Sequence, residues 1–185
     1  EWLEKSVKTA DPEAREKMHN ASTMAGMAFA NAFLGMSHSM AHKIGAVHHT
    51  VHGRTNAILL PYVIRYNGTR PSKTTTWPKY NYWKADEKFQ DIAKMLGLPH
   101  STPEEAVEAY AKAVYDLGVA VGIKMNFKDQ GIDEKAWKDS LHEIALLAYE
   151  DQCSPANPRL PMVADMEEIM ADAYYGYAER PGRRK

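Results

Sequence analysis

Five of the chain's eight histidines fall within one stretch of nineteen residues, "GMSHSMAHKIGAVHHTVHG", residues 35–53. A neutral imidazole gives one ring nitrogen to a zinc, iron or similar ion and keeps the other for a hydrogen bond. Two or three rings brought together would bind such an ion. His38 and His42 are four residues apart, which on a helix places them on one face, about one turn from each other. His48, His49 and His52 follow, with Gly45 read as the bend that folds this second group back on the first. A plainer reading stands beside the metal one: several of these residues are hydrogen-bonded or solvent-facing histidines in a polar loop.

The residues around the pair narrow the chemistry. The zinc-peptidase pattern needs a Glu after the first histidine as general base, and residue 39 is Ser, so a peptidase is excluded. No Asp or Glu lies between residues 17 and 85. A Lewis-acid ion takes three or four protein ligands, often with a carboxylate among them, so the cluster reads as half a site.

The elements that must position these residues are helical. Asp11 followed by Pro12 is an N-cap and a residue preset for a first turn, and the run to Leu34 stops at Gly35. Its second half, small and apolar on most faces, predicts a central, buried helix. Further helices are predicted from Ser37 to about Val47, and from about Arg54 to Asn67 with Gly68 as terminator and Pro61 as a kink or a restart. Residues 68–84 read as an ordered surface loop. Beyond it, "ADEKFQDIAKMLGL" is spaced as a helix; Thr102, Pro103 and Glu105 form a capping box; Asp133 caps another helix; and the last runs from about Met162 to Tyr175 before Gly176. The tail "ERPGRRK" is too basic to pack. The sum is one all-α domain, residues 1–185, of about seven helices.

Composition excludes several classes. A net charge of -1 gives no field to recruit nucleic acid or anionic lipid, and no apolar run approaches the span of a bilayer. The single Cys153 excludes an internal disulfide framework and fits a reducing, cytoplasmic setting. The chain begins at Glu1, within what looks like the tail of an amphipathic helix, "EWLEKSVKTAD", and is therefore expected to be a fragment of a longer polypeptide.

The series "HNASTMAGMAFANAFLGMSHSMAHKIGAVHHTVHGRTNAILLPYVIRYN" resembles the iron-containing alcohol dehydrogenase family, whose fold is of the dehydroquinate synthase-like type. The small-residue helix, the His-x3-His pair and the His-Gly fourteen residues after the first histidine carry the likeness. "GIKMNFKDQGID" and "DQCSPANPRLPMVADMEEIMADAYYGY" resemble one branch of it, the bifunctional aldehyde-alcohol dehydrogenases. The resemblance implies a metal held by one Asp and three His, of which His38 and His52 match two. The remaining Asp and His, the nucleotide-binding part and an aldehyde dehydrogenase part are expected upstream of Glu1. His42 matches a histidine that lies beside the nicotinamide and passes a proton between alcohol and solvent; the alternative is a residue that only orients His38. Val51 stands where many relatives carry Pro.

The implied activity is interconversion of acetaldehyde or other short aldehydes and the primary alcohol with NAD(H). The implied ion is Fe(II), with zinc as the alternative because intrinsic affinity does not select between them. The isolated chain is expected to be catalytically silent and a weak metal binder. The branch's habit of assembling into homo-oligomeric helical filaments makes residues 68–84 candidate subunit contacts. Two other functions were weighed: a free-standing helical interaction or metal-binding module, and a different polyol dehydrogenase of the same superfamily. His48 and His49 read as polar loop residues, and Phe29 and Phe33 as plain core before pocket wall. "TTTWPKYNYW" reads as loop packing before nucleic-acid stacking, and Cys153 is not read as a nucleophile.

Overall fold

The computed structural model describes residues 1–71 and 83–176, which form eight α-helices and one short 3-10 turn with no strand among the described residues. The helices are α1 (Leu3–Thr9), α2 (Pro12–Ala32), α3 (Met36–His48), α4 (His52–Gly68), α5 (Ala85–Met95), α6 (Pro103–Ala120), α7 (Glu134–Tyr149) and α8 (Val163–Tyr175). The expected loop falls mostly outside the described residues, as does the basic tail.

The caps explain most boundaries. Asp11 accepts from the Ala14 amide at 2.9 Å, Asp133 from Ala136 at 2.9 Å and Thr102 from Glu105 at 3.2 Å, each closing the first turn of its helix. The expected capping box at α6 is shifted by one residue: the Glu105 carboxylate accepts from Ser101, not from the Thr102 amide.

The core lies between α3, α4, α7 and α8. Met36, Met40 and Ile44, four apart on α3, are fully buried against Ile58 and Leu59 of α4, Trp137 and Ile144 of α7, and Met166 and Met170 of α8. Burying that stripe leaves His38 and His42 on a different face of α3, half exposed. A smaller cluster of Ile64, Val107 and Ala111 joins α4 to α6, with Phe89 of α5 packed on it. Gly68 is required there, since a β-carbon on it would sit 2.5 Å from Val107.

Three sequence expectations are corrected. The helix from Pro12 is not central: α1 is its principal partner among the described residues, Ala14 is its one buried residue, and Met24 and Met27 are more than half exposed. Phe29 and Phe33 are exposed as well, so neither is core. Small and apolar residues make a helix buriable, but burial needs neighbours on the apolar faces, and among the described residues α2 packs chiefly on the short α1. Gly45 is not a bend but a residue inside α3. The chain reverses instead at His49, which takes the left-handed conformation (φ 54°), and at the extended Val51. Pro61 does not restart a helix; α4 runs through it, and the residue is buried.

Candidate metal centre

The reversal at residues 49–51 brings His52, the first residue of α4, against the histidine face of α3. Two hydroxyls fasten it: Thr55 donates to the Val51 carbonyl at 3.0 Å and lies 2.6 Å from the Thr50 hydroxyl. The ring centres of His38 and His52 are 5.3 Å apart and tilted by 54°; those of His42 and His52 are 5.4 Å apart and nearly parallel at 15°; and His38 and His42 are 6.2 Å apart. Three imidazoles from two helices thus meet. The Phe29 ring stands 6.3 Å from His38 at the edge of this cluster.

The donor set fits a divalent ion. Two imidazoles on one tetrahedral ion, each with a metal–nitrogen bond of about 2.0–2.1 Å, put their ring centres roughly 5 Å apart, and the tilted pair His38 and His52 meets that spacing. Burial, with repulsion from His52 and then His42, holds His38 below the ordinary histidine value, so it is offered as the neutral ring that a metal requires. The Asn56 amide lies 3.2 Å from His52 Nε2, and the Asn56 oxygen accepts from the Ser37 hydroxyl at 2.9 Å, so an ion on Nε2 would take the place of that amide contact.

His42 has a different environment. Its Nδ1 is 3.2 Å from an oxygen of Asp151, which also takes the Lys43 ammonium at 3.0 Å, while the other Asp151 oxygen accepts from the Cys153 amide at 3.0 Å. Burial pushes the Asp151 carboxyl up, but the Cys153 amide, Lys43 and His42 outweigh it and hold the group at about 2. His42, Asp151 and Cys153 are close enough to be considered metal ligands in their own right. The thiol argues otherwise. Burial, reinforced by hydrogen bonding to Asp151, pushes it up to about 11 in the metal-free protein, and Lys43 already occupies the carboxylate. This trio is a hydrogen-bonded clasp.

Sequence reading missed Asp151, Lys43, Ser37 and Asn56. Asp151 lies 109 residues from His42 with no spacing to betray it. His48 and His49 lie outside the cluster, but His48 is not the loop residue expected: it ends α3. The His48 ring stacks on Trp137 at 5.2 Å and bonds Ser140 at 3.0 Å, while His49 is exposed at the turn.

The fold is shared with solved alcohol dehydrogenases. That from Oenococcus oeni superposes with a TM-score of 0.78 and 31% identity over 93% of this chain and 41% of its own. A second solved relative, a 1,3-propanediol oxidoreductase, gives 0.73 and 34% identity over 88% of this chain and 38% of its own. The chain belongs to the Fe-containing alcohol dehydrogenase family, whose C-terminal model matches residues 1–174. It is 79% identical over its whole length to an aldehyde-alcohol dehydrogenase of Streptococcus pneumoniae. It is also 39% identical, over 90% of its length, to the bifunctional aldehyde-alcohol dehydrogenase of Escherichia coli. It spans only about a fifth of these relatives, 21% and 19% respectively. No described helix is long and apolar enough to cross a membrane.

Proposed function

We propose that this chain is the all-α, metal-binding part (residues 1–185) of a cytoplasmic, NAD(H)-dependent alcohol dehydrogenase that interconverts short aldehydes, acetaldehyde among them, and their primary alcohols. The nucleotide-binding and aldehyde dehydrogenase parts belong to the same polypeptide, and the whole acts as a homo-oligomer. The observation that carries the reading is the meeting of His38, His42 and His52 in a chain of this family. The 79% identity to an aldehyde-alcohol dehydrogenase favours the bifunctional branch over a polyol dehydrogenase.

His38 and His52 would hold the ion, Fe(II) or zinc, together with an Asp and a further His from elsewhere in the polypeptide. Bound there, the ion supplies Lewis acidity to the substrate oxygen without changing oxidation state. The reaction consumes one aldehyde, one NADH and one proton and yields the alcohol and NAD+. The residues of this chain account for the proton: His42, half exposed beside the ligand pair, passes it between solvent and the alcohol oxygen. The isolated chain, with two of the four ligands and no nucleotide site, should be silent.

The test uses the longest polypeptide that the native cells make with this sequence. His38→Ala and His52→Ala should each empty the metal site by elemental analysis and abolish NADH-dependent acetaldehyde reduction. His42→Ala should keep the metal and lose about 10²–10⁴-fold in kcat. Full metal content in both ligand variants would overturn the assignment.

A further inference from the structure

We infer that Asp151 is a positioning residue for His42, fixing which ring nitrogen faces the reaction through the hydrogen bond it accepts from Nδ1. The inference rests on the proton-transfer role proposed above for His42. A carboxylate with two donors already on it can only accept from a third group, so the hydrogen shared between Asp151 and His42 belongs to Nδ1. The nitrogen left to exchange a proton is then Nε2, on the ring edge away from the clasp. When a proton passes to the product oxygen, the Nε2–H bond breaks, its electron pair stays on Nε2, and a new O–H bond forms. Nδ1 keeps its hydrogen and Asp151 its charge throughout.

The clasp is built to stay put. Asp151 has a side chain 8% exposed, and its two oxygens are held from three sides, by the next residue of α3 after His42, by the backbone at Cys153 and by His42 itself. The Asp151 carboxyl, held at about 2, is ionised near neutral pH. Lys43, 3.0 Å from the same oxygen, balances the buried charge of Asp151.

A double-mutant cycle in the longest native polypeptide tests this, with kcat, KM and metal content measured for each variant. Asp151→Ala should lower kcat by about 10–100-fold, leave KM within about twofold, and leave the metal content unchanged. Asp151→Asn, whose remaining oxygen can still accept from Nδ1, should fall between Asp151→Ala and the parent and guards against a loss caused by misfolding. In a His42→Ala background, Asp151→Ala should add no further loss, since its partner is gone. A loss that persists in that background, a loss of metal in Asp151→Ala, or an Asp151→Ala variant at the parental rate would each overturn the inference. Parental activity in His42→Ala itself would overturn the proton-transfer role on which it stands, a separate outcome.

Discussion

The chemistry of this chain is decided by what each imidazole touches. The ring centres of three histidines lie within 6.2 Å of one another, yet one is half buried with its pKa lowered, one is met by an amide, and one is tied to a carboxylate. Asp151 gives a test at this scale that does not depend on catalysis. Its folded carboxyl lies at about 2 against an ordinary 3.8, so the folded state binds the proton more weakly than the unfolded state. The stabilisation, on the order of 2 kcal/mol, is present above the unfolded value and is lost as pH falls from about 4 through 2. Urea titrations between pH 7 and pH 2.5 should show a fall in the parent that is about 2 kcal/mol shallower in Asp151→Asn, which starts lower. Parallel curves would show that the carboxylate is not held as described.

At the scale of elements, the position of α3 matters most, because it carries two of the three rings. Its N-terminus has no side-chain cap of its own. The Asn157 oxygen, 121 residues away, accepts from the Met36 amide at 3.3 Å, while the same side chain donates to Asn67 of α4 at 2.7 Å and to the Arg159 carbonyl at 2.6 Å. One buried amide thus fastens the start of α3, the end of α4 and the turn before α8. Gly35 makes room for it, since a β-carbon there would lie 2.8 Å from the Asn157 oxygen. Asn157→Ala, which strands buried donors and acceptors, should cost about 2–3 kcal/mol in chemical denaturation. Gly35→Ala should cost about 1–3 kcal/mol through the clash. If the two losses add fully in the double variant, the contact between them is not what Gly35 provides, because removing the Asn157 side chain should relieve the clash.

At the scale of the whole molecule, the described residues form a main core with a smaller cluster beside it, and one long helix outside both. Trp137, 2% exposed, stacks on Phe127, Tyr174 and His48, whereas Phe29 is 46% exposed on α2. Truncating them in this 185-residue chain should give opposite results. Trp137→Ala should cost about 3–5 kcal/mol, and Phe29→Ala should stay within about 0.5 kcal/mol. A large loss at Phe29 would mean that α2 packs on the core after all.

The division between what was readable and what was not follows from range. Helix starts at Asp11, Thr102 and Asp133 were legible because a cap bonds an amide three residues on, and the face shared by His38 and His42 was legible because helical period is local. The pairing of His38 with His52 came from resemblance, and their spacing from the turn at His49, whose left-handed backbone no glycine announced. The burial expected of α2 failed because apolar composition states only what a helix can bury; which face is covered depends on neighbours. Asp151 and Asn157 were silent in the sequence for the same reason. Their partners lie about a hundred residues away, and only the packing of α3 against α4, α7 and α8 brings a carboxylate to His42 and an amide to Met36. The sequence by itself determined an all-α chain with histidines on one helical face, because those properties depend on contacts a few residues apart. Tertiary structure alone decided which side chains each ring touches, because that depends on hydrogen bonds between residues the chain keeps far apart.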